Sequence, residues 1–224
     1  MWQCWMKDYQ NSDKDNLMSK FAGKFIVLDG GDGCGKSTQA KMLAEYIESQ
    51  GATVVGFRDP GDTVIGEKIR DILLDPANKG MGDNVEVLLY MASRAQLWIE
   101  KISPALQQGK CVVMDRWLSS TCAYQGCAGG FGIENVINLG NDCLERVWPD
   151  VTIVLDVDLE TAASRMNREL DRMEQKGKEY HTKVREGFLK LAENHPEKVF
   201  KADATQDIED VHKQVLEIIE ASII

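Results

Sequence analysis

Apolar residues in this chain fall into short continuous runs that are separated by longer stretches of mixed polarity. Five runs rich in β-branched and apolar residues lie at 25–28, 53–57, 111–114, 151–155 and, more weakly, 198–201. Continuous apolar runs of this length are typical of strands that are buried on both faces of a parallel sheet. We therefore predict five parallel β-strands.

The stretches between these runs have the spacing of amphipathic helices. One face of the segment that follows Ser37 is apolar, formed by Ala40, Leu43, Ala44 and Ile47, and Gly51 ends this helix. Further helices are predicted over 84–106, with a bend near Pro104, and over 134–146, 159–173, 178–193 and 208–219. This alternation predicts an α/β fold with a doubly wound sheet, whose ligands bind at the carboxyl ends of the strands.

The composition fits one globular domain. Of the 224 residues, 43% are hydrophobic and 28% are charged. We assign residues 24–224 to a single domain and the polar residues 1–23 to a flexible N-terminal extension. The net charge of −10 argues against nucleic acid as a partner, because phosphate backbones are bound by basic surfaces.

The sequence also indicates a compartment. No apolar run approaches the roughly 18 residues of a membrane span, so we expect no membrane partner. The six cysteines have no paired spacing of the kind found in zinc sites or disulfide frameworks. We therefore expect a cytoplasmic protein with reduced thiols.

Residues 30–37 read Gly-Gly-Asp-Gly-Cys-Gly-Lys-Ser, which is the spacing of a phosphate-binding loop. Its glycines let backbone N–H groups approach phosphate oxygens, and the following helix N-terminus favours negative charge. Lys36 supplies a mobile positive charge, and Ser37 is placed to hold Mg²⁺, with Asp115 as the second predicted ligand. A chance glycine-rich turn is the alternative interpretation. The predicted nucleotide-binding residues are Gly30, Gly31, Asp32, Gly33, Cys34, Gly35, Lys36, Ser37 and Thr38.

The loop does not decide where the phosphate goes, since GTPases, ATP-driven switches and small-molecule kinases share it. A guanine-specific switch normally carries an Asn-Lys-x-Asp motif, and the segment 78–81, Asn-Lys-Gly-Met, lacks the acid. This absence disfavours a GTPase.

Two pairs of residues point to a second phosphorylated ligand. Arg58 and Arg116 follow the second and third predicted strands, so both leave carboxyl ends and can converge on one anion. Tyr90 and Arg94 are four residues apart and share one face of the long helix, where a ring can stack on a base while a guanidinium donates to its edge. Ion pairs and packing for stability are the alternative interpretations.

Five segments in this order resemble thymidylate kinases: 30–37, Arg-Asp-Pro-Gly at 58–61, Leu-Leu-Tyr-Met-Ala-Ser-Arg-Ala-Gln-Leu at 88–97, Asp-Arg-Trp-Leu-Ser-Ser-Thr-Cys-Ala-Tyr-Gln-Gly at 115–126 and Asp-Arg-Met-Glu at 171–174. The resemblance implies a P-loop kinase fold, with a five-stranded parallel sheet wrapped by helices and an arginine-rich lid. It further implies a homodimer that uses ATP and Mg²⁺ to phosphorylate dTMP to dTDP in dTTP synthesis. A kinase for another small monophosphate such as dUMP, or an ATP-dependent switch without a small acceptor, remains an alternative.

The resemblance implies a role for each matching residue. Asp32 would accept a hydrogen bond from the 3′-hydroxyl of dTMP, and Arg58 and Arg116 would hold its phosphate. Tyr90 would stack on thymine. The other predicted substrate contacts are Arg94 at O4, Thr121 at the base edge, Tyr124 beside the 2′ carbon, and Gln125.

Thymidylate kinases supply a transition-state arginine either from the loop or from a lid. Gly33 occupies the loop position here, so the resemblance implies a lid donor. A lid at about 160–178 carries Arg165, Arg168 and Arg172, which the predicted helix would place on one cationic face. A solvated surface is the alternative. The predicted catalytic residues are Lys36, Arg116, Arg165, Arg168 and Arg172.

The segment 58–63 departs from the usual pattern of these kinases at two positions. The common Arg-Glu-Pro-Gly-Gly-Thr reads Arg-Asp-Pro-Gly-Asp-Thr here. Asp59 thus shortens one carboxylate, and Asp62 adds another beside the expected acceptor phosphate.

Overall fold

The computed structural model describes residues 19–166 and 169–223. Its strands are β1 Phe25–Asp29, β2 Val54–Arg58, β3 Cys111–Asp115, β4 Val151–Asp156 and β5 Val199–Asp203. They form one all-parallel sheet in the order β2-β3-β1-β4-β5. The predicted α/β fold with five parallel strands is confirmed.

Helices cover both faces of this sheet. The α-helices of the described residues are α1 Lys36–Ser49, α2 Val64–Leu74, α3 Asp83–Leu97, α4 Ser103–Gln107, α5 Leu118–Thr121, α6 Ile133–Cys143, α7 Leu159–Arg165, α8 Lys178–Asn194 and α9 Ile208–Ser222. Short 3₁₀ turns lie at Pro76–Asn78 and Glu174–Lys176, and π-helical turns at Trp98–Ile102 and Cys122–Ala128. In the described parts of the chain, no helix combines the length and apolar character that a membrane crossing requires.

The sheet separates two hydrophobic cores. On β1, Phe25 and Val27 pack into one core with Trp117, whereas Ile26 and Leu28 pack into the other. All of these side chains are buried. Because each face of the strand needs apolar residues, the sequence of β1 is a continuous apolar run rather than an alternating one.

The long predicted helix is interrupted where the sequence places Pro104. α3 runs into the π-helical turn Trp98–Ile102, and α4 follows with Pro104 in its first turn. The N–H of Ser103 donates to the carbonyl of Trp98, five residues earlier. Proline has no N–H for the helical ladder, so a wider turn ahead of it accommodates the missing bond.

The helix predicted over 159–173 is wrong beyond Arg165. α7 ends there, because Met166 has an extended backbone with φ −92° and ψ 116°. Arg168, which the sequence assigned to the same helical face, lies outside the described residues.

A local turn replaces the second half of that predicted helix. The carboxylate of Asp171 accepts the backbone N–H groups of Met173 at 2.8 Å and Glu174 at 3.0 Å. Such side-chain bonds compete with helical hydrogen bonds. The single cationic face of Arg165 and Arg172 therefore does not form.

The sequence pattern does not predict α2, Val64–Leu74. Many of its apolar residues are β-branched and lower helix propensity. The signal that could have found it is Thr63, whose hydroxyl accepts the N–H of Gly66 at 2.8 Å and caps the helix.

The domain begins earlier than predicted. Phe21 is fully buried, with its ring edge against Tyr46 of α1. Gly23 donates its N–H to the carbonyl of Gly109 at 3.1 Å. Residues 19–23 thus belong to the folded domain, while 1–18 of the predicted extension lie outside the described residues.

Candidate active site

The glycine-rich loop connects β1 to α1 at the carboxyl edge of the sheet. Gly30, Gly33 and Gly35 have φ values of 134°, 76° and 93°, which side-chain-bearing residues rarely adopt. The Lys36 ammonium folds over the loop and donates to the carbonyls of Gly31 at 2.7 Å and Gly30 at 3.2 Å. The positive charge is thereby held over the loop itself.

Gly33 is the point where α7 meets this loop. A Cβ atom at Gly33 would lie 2.4 Å from the carbonyl oxygen of Ala162. Backbone on both sides leaves no room to relieve that clash. An arginine at this loop position would therefore clash with α7.

Two side-chain oxygens that could serve as metal ligands lie next to the loop. Ser37 Oγ donates to Asp115 Oδ2 at 2.8 Å. Mg²⁺ prefers hard oxygen ligands and commonly takes one or two from the protein, with phosphate and water filling the rest. The described residues contain no cluster of three His, Cys, Asp or Glu side chains that could form a dedicated metal site. The pair fits a nucleotide-associated Mg²⁺.

Two adjoining cavities open beside the loop. The larger, of about 720 Å³, is lined by loop residues 32–39, Arg58 and Arg165. The smaller, of about 110 Å³, is lined by predicted substrate residues, namely Tyr90, Arg94, Thr121, Tyr124 and Gln125. Four charged side chains line both cavities: Asp32, Asp59, Arg70 and Arg116. They mark a charged junction between the two.

Asp32 is an ionised acceptor at this junction. Arg116 Nη2 donates to Asp32 Oδ1 at 2.5 Å, and the Tyr124 hydroxyl donates to Asp32 Oδ2 at 2.8 Å. Burial opposes ionisation, but the charges of Arg116 and Lys36 and the Tyr124 hydrogen bond lower the pKa of Asp32 to about 2. Its carboxylate is therefore negative at neutral pH.

A buried network of hydrogen bonds fixes the position of Arg116. Its backbone is left-handed, with φ 73°, and its Nη1 donates to the carbonyl of Gly30 at 2.9 Å and to Ser120 Oγ at 3.0 Å. The fully buried Asp29 accepts the hydroxyls of Ser119 at 2.5 Å and Ser120 at 2.6 Å, and lies 3.7 Å from Arg116 Nη1. Strained backbone of this kind persists only where its surroundings fix it.

Arg94 is 1% exposed and lies in the wall of the smaller cavity. Its Nε donates to Asp59 Oδ2 at 2.6 Å, and its Nη2 donates to Thr121 Oγ1 at 2.9 Å. Among the described residues, Arg94 Nη1 and Asp59 Oδ1 are buried without a hydrogen-bond partner. A buried N–H group without a partner is costly, so Nη1 is a donor that a ligand could satisfy.

Arg58, a predicted phosphate ligand, lines the larger cavity but its guanidinium is already paired. Its Nη2 lies 2.8 Å and 2.9 Å from the two carboxylate oxygens of Glu67, and its Nε lies 3.3 Å from Asp62 Oδ1. Asp62 Oδ2 also accepts the backbone N–H of Arg58 at 2.7 Å. Two carboxylates thus compete with any ligand for this arginine.

Arg70 is a junction cation that the sequence analysis missed. It lies on α2, lines both cavities and donates from Nη1 to the carbonyl of Pro60 at 2.9 Å. Burial, followed by the nearby charge of Arg58, lowers the pKa of Arg70. Recognising the Thr63 cap would have predicted α2 and drawn attention to Arg70.

The two described arginines of the predicted lid lie in different places. Arg165 lines the larger cavity, and its Nη1 donates to the carbonyl of Ala204 at 2.9 Å. Arg172 instead donates from Nε to the carbonyl of Leu73 at 2.6 Å, and its Nη1 lies 2.6 Å from Glu86 Oε2. Of the pair, Arg165 alone faces the loop cavity.

The chain is similar to one family in both sequence and structure. The thymidylate kinase family profile matches residues 28–215. The thymidylate kinase of Thermoanaerobacter sp. (strain X514) is 45% identical over 198 residues, covering 88% of this chain and 97% of that protein. The thymidylate kinase of Symbiobacterium thermophilum is 43% identical over 197 residues, covering 88% and 92%. A crystal structure of thymidylate kinase from Ehrlichia chaffeensis matches with a TM-score of 0.71 and 31% identity, covering 88% of this chain and 98% of that one.

Proposed function

The chain belongs to the thymidylate kinase family, and from this premise we propose that it transfers a phosphoryl group from ATP to dTMP, giving dTDP for dTTP synthesis. The observation that carries the proposal is the buried Arg94, which lines a cavity adjoining the phosphate-loop cavity and whose Nη1 has no hydrogen-bond partner. A base carbonyl such as O4 of thymine would satisfy this donor. An ATP-driven switch has no use for a second cavity of this kind.

In the proposed complex, ATP phosphates occupy the glycine-rich loop and thymine occupies the smaller cavity against Tyr90. The acceptor phosphate then lies at the junction, where Arg70 and Arg116 supply positive charge. The ionised Asp32 accepts the 3′-hydroxyl, and Tyr124, which is bonded to Asp32, leaves a 2′-hydroxyl without room. Thr121 and Gln125 complete the wall around the base.

The chain's own contribution to the reaction is positioning and charge neutralisation. A loose phosphoryl transition state places negative charge on the transferred oxygens, which Lys36, Arg116 and Arg165 would offset. No general base is needed, because the acceptor phosphate is already an anion. Mg²⁺, held by Ser37 with Asp115 beside it, would supply further charge neutralisation on the ATP phosphates when bound. α7 packs against the loop at Gly33 and would help to exclude water that could hydrolyse ATP.

A coupled ADP-release assay tests this proposal. ATP and Mg²⁺ are supplied, and dTMP, dUMP, UMP, CMP, AMP and GMP are added one at a time. We expect activity with dTMP, weaker activity with dUMP and none with ribonucleotides. ATP binding without turnover on any of the six would contradict the proposed acceptor.

The ion pairs of Arg58 with Asp62 and Glu67 lead to a prediction about the affinity of the protein for dTMP. Asp62→Asn removes one competing carboxylate while asparagine tolerates the left-handed backbone at φ 59°. We expect the KM for dTMP to fall by about twofold to fivefold, the range of a partly exposed ion pair, with the KM for ATP unchanged.

The matched test adds Arg58→Gln to both backgrounds. It should change the KM for dTMP little in the wild type, where Arg58 is paired, and raise it in the Asp62→Asn variant. Equal effects in both backgrounds would show that Asp62 does not compete with the acceptor.

We also propose that the protein is a homodimer formed through α3. Val85, Leu88 and Ile99 are 51%, 57% and 68% exposed, and with Ala92 they form one stripe along α3 and the turn after it. Their neighbours Val87 and Leu97 are fully buried in the core and take no part in the stripe. Two copies of such a stripe can pack about a twofold axis.

Leu88→Glu is expected to produce a monomer. It places one carboxylate per subunit in an apolar contact, which should raise the dimer dissociation constant by at least about tenfold. Sedimentation velocity measures this change. Thr182→Glu on the exposed face of α8 is the control and should leave the dimer intact. A dimeric Leu88→Glu protein would contradict the proposed interface.

We propose a cytoplasmic location, where both nucleotides and a reducing environment are found. The described cysteines support it, since Cys34, Cys111, Cys122, Cys127 and Cys143 are all free thiols.

A further inference from the structure

Glu86 is a buried carboxylate that lines neither of the two cavities. It lies on α3, is 2% exposed, and precedes Tyr90 by one helical turn. Gln125 Nε2 donates to Glu86 Oε1 at 2.8 Å, and Arg172 Nη1 lies 2.6 Å from Glu86 Oε2. Lys176 Nζ lies 3.1 Å from both oxygens. Three partners from two separate segments, the turn Cys122–Ala128 and residues 171–176, thus converge on one side chain.

Two of these partners come from residues 171–176, which we call the lid anchor. Asp171 and Met173, which flank Arg172 in the chain, both line the smaller cavity. The backbone N–H of Arg172 also donates to the carbonyl of Leu74 at 3.1 Å. The lid anchor therefore lines the smaller cavity and also continues the predicted lid.

The third partner is a wall of the same cavity. Gln125 lines it together with Tyr124, and the hydroxyl of Tyr180 donates to the carbonyl of Tyr124 at 2.8 Å. Lys176 lies 4.7 Å from the centre of the Tyr180 ring. The contacts of Glu86 therefore reach two segments that line the smaller cavity.

The charges in this network depend on Glu86. Burial alone would raise the pKa of Glu86, but the Gln125 hydrogen bond and the charges of Lys176 and Arg172 lower it below its usual value. Its carboxylate is the negative partner of both cations. Without that charge, two cations would be left close together in a largely buried region.

We propose that Glu86 is a positioning residue that holds the lid anchor against the smaller cavity. Binding of dTMP in that cavity is thereby coupled to the ordering of the lid anchor. Glu86 touches neither the substrate nor the reacting atoms and acts through Gln125, Arg172 and Lys176. The inference rests on the proposed function, because it requires thymine in the smaller cavity. It assigns Arg172 to anchoring the lid instead of to the transition state.

Glu86→Gln tests this role, because glutamine keeps the shape of the side chain and removes its charge. Loss of charged hydrogen bonds should raise the KM for dTMP by about 10-fold to 100-fold. We expect the KM for ATP and the kcat at saturating dTMP to change by less than about threefold, since neither depends on this contact.

Limited trypsin digestion gives a second readout, because trypsin cleaves after Arg172 and Lys176. In the wild type, dTMP should slow cleavage at both sites. In Glu86→Gln, dTMP at saturating concentration should no longer protect them. A purely structural defect would lower the melting temperature without removing this ligand-dependent protection.

A milder variant keeps the test valid if Glu86→Gln fails to fold. Lys176→Met removes one cation from the network and leaves Glu86 paired with Arg172, so we expect the KM for dTMP to rise by about threefold. Lys183→Met is the matched control, because Lys183 pairs on the surface with Glu179 at 2.9 Å. It should leave both KM values unchanged.

The outcomes separate this inference from the proposed function. A wild-type protein that does not phosphorylate dTMP would contradict the proposed function itself. An active wild type in which Glu86→Gln and Lys176→Met behave like Lys183→Met would overturn the role of Glu86 alone. Equal increases in the KM for dTMP and for ATP would also overturn it.

Discussion

We expect Lys36→Ala to lower turnover by a factor of about 10² or more while the protein stays folded. The ammonium lies over the glycine-rich loop, 2.7 Å from the carbonyl oxygen of Gly31. It therefore needs little reorganisation when charge develops on the transferred phosphoryl group. Removing such a fixed charge costs transition-state stabilisation that water cannot replace as well.

Turnover is measured as ADP release at saturating ATP and dTMP, with circular dichroism to verify folding. Lys41→Ala is the matched control, since Lys41 lies on the same helix and its side chain is 60% exposed. It should retain nearly normal turnover. If Lys36→Ala stayed within about threefold of the wild type, the role that we assign to Lys36 would be wrong.

The second large effect is expected for Arg94→Ala, first on stability. This change leaves the Asp59 carboxylate buried without its cation, and breaking a buried pair in this way costs about 3–5 kcal/mol of unfolding free energy. By comparison, Arg146→Ala removes a partly exposed ion pair with Asp150 and should cost about 1 kcal/mol or less. Urea unfolding at neutral pH measures both losses.

The stability loss should depend on pH. Burial raises the pKa of Asp59, and Arg94 opposes that rise. Without Arg94 the folded pKa rises further above the unfolded value of about 3.9, so the folded state is penalised as pH increases above that value. We therefore expect the deficit of Arg94→Ala to be largest near neutral pH and to shrink as the pH falls towards about 4. A pH-independent deficit would contradict this explanation.

Arg94→Ala combined with Asp59→Asn separates folding from base recognition. Removing the buried charge should restore most of the lost stability. The double variant should still use dTMP poorly, with kcat/KM lowered by about 10² because the Nη1 donor is missing. ATP binding, measured by calorimetry, should stay close to normal. Equal loss of ATP binding and dTMP use would contradict the assignment of Arg94 to the base.

The sequence determined the sheet and the phosphate-binding loop because both are encoded in contiguous residues. A strand buried on two faces needs an unbroken apolar run, and β1 has one in its first four residues, 25–28. The loop carries its glycines and Lys36 within eight residues, between a strand and a helix. The local sequence pattern and the structure agree at the strands and at this loop, because neither depends on residues far away in the chain.

The sequence failed where distant contacts decide the local structure. α2 is built from apolar residues that are largely β-branched, and beyond the local Thr63 cap it is supported by packing against α3. The lid departs from the predicted helix after Arg165, and Arg172 is fixed by Glu86, which is 86 positions earlier in the chain. No spacing rule within the lid contains that contact.

The roles of the arginines show most clearly what only the tertiary structure decided. The sequence identified Arg58 and Arg172 as cations for phosphate, but the fold pairs Arg58 with Asp62 and Glu67, and Arg172 with Glu86. It brings Arg70 of α2 to the junction of the two cavities instead. A carboxylate that pairs with an arginine competes with a phosphate for that arginine. Which carboxylates come close is set by the packing of elements far apart in the chain.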